Sequence, residues 1–227
     1  SIHQPNYLPL IGYFNKIVRS DTFVIFDDVQ FPVGKKGFFG NRNKIKTNNG
    51  ELWLTVPVLD RSSRKNFNEI KINNNGWSDK HISNIENFYK KSPYFKLYFN
   101  DLKNILSVNY DNFSLLSITL IKYFIDKLDI NTNIVLSSDI CKDSKLQGLE
   151  KIFFILDNLK AQKYLSSDGP GSMRYINEND FKSKNIELVW QKFNHPIYNQ
   201  LHGDFKSYLS IIDLLFNYGE DSKKYII

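Results

Sequence analysis

The stretch SIHQPNYLPLIGYFNKIVRSDTFVIFDDV, residues 1–29, decides the predicted fold. Residues 1–3 are predicted to form the end of a strand. A helix is predicted over residues 8–19, because apolar side chains recur there at helical spacing and the first turn tolerates a proline. Residues 22–29 form an apolar run that ends in two acids, which indicates a strand buried on both faces of a parallel sheet. The unit is therefore β–loop–α–β, and such crossovers are right-handed almost without exception.

Strands alternate with helices along much of the remaining chain. Further strands are predicted at residues 51–58, 67–72, 134–140, 163–167 and 186–191. Further helices are predicted at residues 78–90, 94–107, 113–128, 145–159 and 209–217, with a short one ending at 184. The basic, glycine-rich residues 32–50 are predicted to form a long loop. This alternation predicts one α/β domain over residues 1–227, with a Rossmann-like, mainly parallel sheet and a helical insertion at about residues 75–130.

Composition narrows the class of protein. Hydrophobic residues make up 41% of the 227, which is enough for a packed core and excludes intrinsic disorder. No apolar run approaches the roughly 18 residues that span a bilayer, so we expect no membrane insertion. A single cysteine, Cys141, makes no internal disulfide, which predicts a cytoplasmic protein. The net charge of +6 fits a nucleic-acid binder or a generic lysine-rich surface, and the scattered lysines favour the surface, without nucleic acid.

Three polar segments directly follow predicted strands. They are residues 3–7 (HQPNY), residues 27–30 (DDVQ) and residues 166–171 (SSDGPG). Open parallel sheets bind ligands at the carboxyl ends of their strands, where the strand order reverses. If these strands are parallel, all three segments open onto one edge, and the sequence predicts a ligand site there.

Two kinds of titratable group stand in these segments. His3 is either a general acid or base or a buried histidine bonded to a backbone carbonyl. Gln4 and Tyr7 either orient a polar ligand or cap the following helix. Asp27 and Asp28 face opposite sides of a regular strand, so we expect one of them to point at the cleft as a base, metal ligand or hydrogen-bond acceptor. Helix capping or a surface ion pair is the alternative for these acids.

Two further segments have the composition of anion sites. If residues 41–46 (NRNKIK) are extended, Arg42, Lys44 and Lys46 share one face that could clamp a diphosphate, or else they belong to a solvated basic loop. The glycine-rich turn from Asp168 to Ser172 could cradle a phosphate or carboxylate with its backbone amides, although it lacks the lysine of a P-loop. His81 and His202 are predicted to lie on the surface. No motif has metal-ligand spacing, so no metal is predicted.

Several stretches together carry a resemblance to a known family. The patterns IHQPNYLP..GYF.KI, D.FV..DDVQF and NRN.IKT..G..WLTVPV, with F.HP.Y.Q at residues 193–200 and SIIDLLFNYG near the end, resemble the WbqC-like family. Leu10 departs from the family, which has a tryptophan after the second proline, and the turn at 166–172 is longer than expected. The resemblance implies candidate site residues at the positions that match, which are His3, Gln4, Pro5, Asn6, Tyr7, Asp27, Asp28, Gln30, Asn41, Arg42, Lys44, Thr55, His195, Tyr198 and Gln200. Apart from His3, Asp27 and Asp28, which are the catalytic candidates, and Pro5, these are predicted to bind the substrate.

The resemblance implies a genomic and chemical context. Members of the family occur with enzymes that make O-antigen, capsule or other lipopolysaccharide glycans, and several such glycans carry amino sugars with an acyl or amino-acyl group on nitrogen. A fainter similarity links the first strand, loop and helix to pantothenate synthetase and the nucleotidylyltransferases. Their loop histidines are missing here, where the chain reads YLPL at residues 7–10. The fold similarity survives this difference, whereas adenylation chemistry does not follow from it.

The favoured hypothesis is a transferase or amide-forming ligase that acylates or aminoacylates the amine of a nucleotide-linked amino sugar. Arg42 and Lys44 would hold the diphosphate, and His3, Asp27 or Asp28 would take the proton from the attacking ammonium. The turn with Ser167, Asp168, Gly169 and Gly171 would hold the donor or the nucleotide.

Several features of this hypothesis stay open. The cofactor is unidentified, with ATP or an activated acyl or aminoacyl donor considered, and a homo-oligomer is an option. The alternative to the enzyme is a non-catalytic sugar-nucleotide or glycan binding subunit of a biosynthetic complex.

Overall fold

The structure is a computed structural model, and it describes residues 1–32, 39–59, 63–142 and 145–227. Its strands, in chain order, are β1 (Ile2–His3), β2 (Thr22–Ile25), β3 (Arg42–Thr47), β4 (Gly50–Thr55), β5 (Asn133–Leu136), β6 (Lys163–Ser167) and β7 (Glu187–Gln191). Its helices are α1 (Ile11–Val18), α2 (Trp77–Tyr89), α3 (Phe95–Ser107), α4 (Phe113–Lys127), α5 (Ser137–Ile140), α6 (Gly148–Asn158), α7 (Pro170–Met173), α8 (Glu178–Ser183) and α9 (Ile211–Tyr218). Short 3₁₀ helices cover Phe67–Glu69 and Gly219–Tyr225.

The described strands form small sheets of two kinds. β2 lies between β1 and β5, and both neighbours are parallel to it. β6 and β7 form a second parallel pair, and β3 and β4 form an antiparallel hairpin. The chain is therefore a mixed α/β protein with small parallel sheets, as the alternation of strands and helices predicts.

Two hydrophobic clusters hold these elements together. In the larger cluster, Phe14 of α1 lies edge-on to Phe124 of α4 at a ring-centroid distance of 5.9 Å, and both are fully buried. The smaller cluster joins β2 and β6 to α6 and α8, with Phe181 stacked on Tyr164 at 5.4 Å. The parallel strands thus pack against α1 and α4 in one cluster and against α6 and α8 in the other.

The structure corrects four predicted elements. Residues 42–47 form β3 instead of a loop, because their alternating side chains pair with β4 across the turn at Gly50. Phe67–Glu69 is a 3₁₀ helix with a capping box instead of a strand. The predicted strand 134–140 ends at Leu136 and continues as α5. The strand predicted over 22–29 ends at Ile25, so the two acids lie in a turn and do not alternate across a sheet.

Candidate functional site

A cavity of about 570 Å³ lies at the carboxyl ends of β1 and β6. Its polar lining comes from His3, Gln4, Lys16, Ser167 and Ser172. Its apolar lining includes Phe26, Val29, Pro32, Leu149, Ile152, Tyr164, Tyr175 and Ile176. This volume lies within the range of about 300–1,000 Å³ that is typical of small-molecule and cofactor pockets.

A second, smaller cavity of about 190 Å³ shares part of this lining. The side chains common to both cavities are His3, Lys16 and Ser167. The other residues that line the smaller cavity are Asn6, Leu10, Gly12, Tyr13, Gln191, Phe193, His195 and Tyr208. The two cavities therefore meet at one group of polar side chains, which we call the junction (His3, Lys16 and Ser167).

Lys16 is the most unusual residue of the junction. It lies on α1, is only 2% exposed, and donates from Nζ to the carbonyl oxygen of Ile2 at 3.0 Å and to Ser167 Oγ at 3.3 Å. Burial lowers the pKa of its amine to about 7, since the cation loses its hydration. Lys16 is therefore able to act as a neutral amine near neutral pH, which makes it a competent proton acceptor.

His3 stands beside Lys16 at the end of β1. Its Nδ1 lies 3.1 Å from the carbonyl oxygen of Gln4, which only accepts hydrogen bonds, so Nδ1 carries the proton and Nε2 keeps its lone pair. Tyr13 meets the imidazole edge-on at 4.8 Å and fixes its plane. Burial and the neighbouring Lys16 lower the pKa of His3 to about 3. The ring is therefore a neutral hydrogen-bond acceptor and a weaker base than Lys16.

Asn6 lines the smaller cavity, and its amide oxygen is buried without a partner in the described part of the chain. Among the described residues, Asn68 Oδ1 and the hydroxyls of Ser92, Ser114 and Ser117 are likewise buried without a partner. Gln4, also predicted as a site residue, lines the larger cavity, and its backbone oxygen accepts from the hydroxyl of Tyr13 at 3.2 Å.

Asp27 and Asp28 make internal contacts instead of facing the cavity. Asp27 caps the start of α5, since Oδ1 accepts from Ser138 N and Oδ2 from Ser138 Oγ. Asp28 forms an ion pair with Lys151 at 2.6 Å and also accepts from the hydroxyl of Ser137. Neither acid belongs to the described lining of the two cavities. Asp27 thus caps a helix and Asp28 forms an ion pair, which are the alternatives to a catalytic role. Their catalytic roles stay predictions, and this geometry does not favour them.

The predicted diphosphate clamp lies on the β3–β4 hairpin. The Arg42 guanidinium stacks 4.2 Å from the Trp53 ring centroid, and Lys44 pairs with Glu51 at 2.8 Å. Thr55 is opposite Arg42 across the hairpin. In the part of the chain that the structure describes, these residues do not line the two cavities. Lys46, predicted on the same face, is buried and donates to the carbonyl oxygen of Gly203 at 3.0 Å.

Other predicted site residues form structural contacts. Tyr7 is fully buried and bonds His81 Nδ1 at 2.8 Å, so His81 is a core residue and its predicted surface position is wrong. Tyr198 donates to the buried carboxylate of Asp213 at 2.9 Å. The remaining contacts are Gln200 to the backbone of Lys206, Asn41 to the carbonyl oxygen of Val56, and a single bridge between Gln30 and Asn66.

The turn after β6 belongs partly to the site. Ser167 and Gly171 line the larger cavity, whereas Asp168 is exposed and Gly169 precedes α7. His195 lines the smaller cavity with both ring nitrogens occupied, since Nδ1 lies 2.9 Å from the oxygen of Pro196 and Nε2 accepts from the amide of Tyr208. The segments after β1 and β6 therefore bring polar side chains to one cavity, and segment 27–30 reaches it through the apolar Val29.

Sequence reasoning missed Lys16, although the pattern GYF.KI contains it. A lysine in an amphipathic helix is ordinarily solvent-exposed. Here β6, some 150 residues later in the chain, covers it. The sequence offered one signal for Lys16, since the family pattern GYF.KI includes this lysine. Phe193 likewise belongs to the pattern F.HP.Y.Q and lines the smaller cavity.

The described residues contain neither a metal-binding cluster nor a helix that could span a membrane. Within them, no group of three or more His, Cys, Asp or Glu side chains is placed to hold a metal ion. No helix in the described part of the chain combines the length and the apolar character needed to cross a membrane.

Comparisons with known proteins agree with the residue patterns. The uncharacterized protein Rv1507c of Mycobacterium tuberculosis (strain ATCC 25618 / H37Rv) is 33% identical over 230 residues, which cover 100% of this chain and 96% of that protein. No solved structure matches the chain significantly. The model of the WbqC-like protein family matches residues 4–225, nearly the whole chain. The chain therefore belongs to the WbqC-like protein family.

Proposed function

We propose that this protein is an enzyme of surface-polysaccharide biosynthesis that transfers an acyl group to the amine of a nucleotide-linked amino sugar. The observation that carries the proposal is the meeting of two cavities at His3, Lys16 and Ser167. A transferase needs two substrates whose reacting atoms come together beside a proton acceptor, and the junction supplies such a place. The family name supports the glycan context.

The proposal includes a Rossmann-like sheet in which β6 lies beside β1. Ser1 Oγ donates to the carbonyl oxygen of Leu165 at 2.8 Å, and Lys16 bridges Ile2 and Ser167. The resulting order would be β5-β2-β1-β6-β7, with the strand order reversing between β1 and β6. Nucleotide ligands bind at that reversal in doubly wound sheets. The larger cavity lies there, which supports its assignment to the nucleotide-linked sugar.

Lys16 takes the proton in the proposed reaction. The sugar ammonium gives one proton to the neutral Nζ, and the free amine attacks the carbonyl carbon of an activated acyl ester, thioester or acyl phosphate. The new C–N bond forms, and the bond to the leaving group breaks with its electron pair. The leaving group takes the second nitrogen proton, and Lys16 returns its proton to solvent. A pKa of about 7 suits this cycle at neutral pH.

His3 and Ser167 position the amine. The lone pair on Nε2 of His3 accepts a hydrogen bond from the attacking nitrogen, because the Nδ1–H is held by the carbonyl of Gln4. The Ser167 hydroxyl accepts from Lys16 and holds its Nζ at the junction. His3 therefore acts as an orienting group in this proposal, and Lys16 replaces it as the base.

A second candidate function, a non-catalytic subunit that binds sugar nucleotides, is favoured by the lining of the larger cavity. The rings of Phe26, Tyr164 and Tyr175 face it, and aromatic rings suit stacking on sugars and bases. The two acids predicted as catalysts, Asp27 and Asp28, are also held in internal contacts. This candidate predicts tight binding of the nucleotide sugar without turnover of any donor.

The test is an acylation assay read by mass spectrometry. Purified protein is incubated with nucleotide-linked amino sugars and a panel of acyl thioesters, or with free acids and ATP. We expect product whose formation rate rises with pH through about 7 and is lost in Lys16→Met, whereas the exposed Lys103→Met control keeps it. Full activity in Lys16→Met would exclude the proposed base, and nucleotide-sugar binding without any product would favour the binding subunit.

A further inference from the structure

A long segment, which we call the strap (residues 192–209), forms part of the wall of the smaller cavity. The structure describes every residue of the strap, and none of them belongs to a helix or a strand. Connections of this length without regular structure are uncommon in compact domains and are usually functional loops. Phe193 and His195 near its start and Tyr208 near its end line the cavity. The two ends of the strap therefore come together at the candidate site.

The middle of the strap is fixed to the body of the protein. Tyr198 donates to the buried carboxylate of Asp213 in α9 at 2.9 Å. His202 Nε2 lies 2.7 Å from the carbonyl oxygen of Phe88 in α2. These contacts hold the central part of the strap, so the two ends that line the cavity are the parts that need a fastening of their own.

His195 joins the two ends of the strap. Its Nδ1 lies 2.9 Å from the carbonyl oxygen of Pro196, which only accepts hydrogen bonds, so Nδ1 carries a proton. Its Nε2 lies 3.0 Å from the backbone nitrogen of Tyr208, which only donates, so Nε2 keeps its lone pair. Both partners thus require a neutral imidazole. A second proton would stand on Nε2 and face the N–H of Tyr208, so the cationic ring is unable to make this bond.

Tyr208 separates the smaller cavity from solvent. Its side chain lines the cavity and is 57% exposed. Its φ of +58° is a left-handed conformation that is unfavourable for a tyrosine and persists only where contacts hold it. Its N–H donates to His195, and the two rings meet edge-on at 5.1 Å. Loss of the hydrogen bond therefore favours release of Tyr208 from the wall.

Titratable groups from several elements surround the strap and its cavity. On the strap they are Lys192, Tyr198, His202, Asp204, Lys206 and Tyr208, and from elsewhere they are His3, Tyr13 and Lys16 across the cavity, Lys46 of β3 and Asp213 of α9. Burial lowers the pKa of His195 below its usual 6.5, and the carbonyl of Pro196 opposes this effect. His202 differs from His195, because its partner is a carbonyl oxygen, to which a neutral and a cationic ring both donate.

We propose that His195 is a proton-sensitive latch that closes the smaller cavity, and that uptake of a proton on Nε2 frees Tyr208 and opens this wall to solvent. The proposal concerns access to the junction and does not depend on the reaction that takes place there. The latch has its full strength above pH 6.5, the usual pKa of a released imidazole, because the closed form requires the neutral ring. It weakens as the pH falls from there towards the lowered pKa of the closed form.

Hydrogen exchange of the Tyr208 amide, followed by NMR, measures how often the latch opens. Protection is expressed relative to an unstructured peptide at the same pH, so the intrinsic pH dependence of exchange cancels. We expect the protection to fall about tenfold between about pH 7.5 and about pH 5.5, since the released ring takes up its proton near pH 6.5. Unchanged protection over this range would overturn the proposal.

Four variants assign the proton to His195. His195→Gln supplies a carbonyl oxygen that accepts from Tyr208 and does not titrate, so we expect the same protection at both pH values. His195→Ala should have low protection at both. His202→Gln and Lys16→Met are controls that remove the other imidazole of the strap and the amine across the cavity, and both should keep the wild-type fall. A fall that persists in His195→Gln, or that either control abolishes, would assign the proton to another group and overturn the latch.

A soluble, neutral gadolinium chelate tests whether the latch controls the wall of the cavity. Gly12 lines the cavity beneath the strap, and a Cβ atom added there would lie 3.1 Å from Phe193 Cδ1. We expect the chelate to relax the Gly12 amide more strongly in His195→Ala, which lacks the latch, than in His195→Gln. Equal relaxation in the two variants would mean that the bond to Tyr208 does not keep this wall closed, which would overturn the proposed opening.

Discussion

Lys16→Met should remove a specific pH dependence from the stability of the protein. Lys16 is buried, and its pKa falls from 10.5 in the exposed amine to about 7 in the fold. The unfolded chain therefore binds the proton more tightly than the folded one. The buried amine therefore destabilises the folded protein most below pH 7, less as the pH rises, and not at all above pH 10.5. Stability should rise with pH across this interval in every variant that keeps Lys16.

The magnitude follows from the two pKa values. A group that is protonated only in the unfolded chain raises the free energy of unfolding by at most about 1.4 kcal/mol per pH unit. Between about pH 7.5 and about pH 9.5, the contribution of Lys16 to that free energy therefore rises by about 2–3 kcal/mol. We would measure urea unfolding at several pH values for the wild type, Lys16→Met and the exposed control Lys103→Met. Buried tyrosines, whose pKa values are raised, affect all three proteins alike and cancel in the differences.

The result expected is a flatter pH profile for Lys16→Met alone. At neutral pH, Lys16→Met should also be more stable than the wild type, because an apolar side chain of similar length has no hydration to lose. The hydrogen bonds to Ile2 and Ser167 reduce this gain. A wild-type profile that parallels Lys16→Met within about 0.5 kcal/mol would refute the depressed pKa and, with it, the assignment of Lys16 as the base.

Three further substitutions test contacts outside the junction by urea unfolding. Asp28→Asn leaves the buried Lys151 cation without its partner and should cost about 3–5 kcal/mol, with most of the loss recovered when Lys151→Met is added; a loss under about 1 kcal/mol would contradict the buried pair. Gly219→Ala should cost more than about 1 kcal/mol, because φ is +56° and the new Cβ would lie 2.5 Å from Tyr94 Cδ1; a neutral outcome would mean that Tyr94 moves freely. Tyr7→Phe should cost about 1–3 kcal/mol through the lost hydrogen bond to a buried imidazole, and no loss would count against that bond.

The local pattern of the chain predicted most of the elements. The apolar run at residues 22–25 and the helical spacing before it identified β2 and α1, and these fix the β–α–β start. The hairpin was missed because asparagines, lysines and glycines dominate residues 40–50, although residues 42–45 of β3 alternate between half-buried and buried side chains. The loop prediction followed the composition of this segment, whereas the periodicity of its side chains indicated the strand that the structure contains.

The site was predictable only in part, because its key contacts are distant in sequence. His3 and Ser167 were found by the rule that ligands meet the carboxyl ends of parallel strands. Lys16 was not, since its burial depends on β6. The contacts of the acids at 27–28 were not predictable in detail, because the α5 serines and Lys151 reach them only in the folded chain.

A comparison with Lys151, another buried lysine, shows why Lys16 is a strong candidate for chemistry. Lys151 lies 2.6 Å from the Asp28 carboxylate, and the pair offsets the loss of hydration that both ions suffer. Lys16 has a carbonyl oxygen and a hydroxyl as its hydrogen-bond partners, and burial lowers its pKa to about 7. An apolar residue would fill that space with less cost to stability, so the packing of α1 does not require an amine. The proposed function accounts for the amine, because in that proposal a substrate nitrogen must lose a proton beside it near neutral pH.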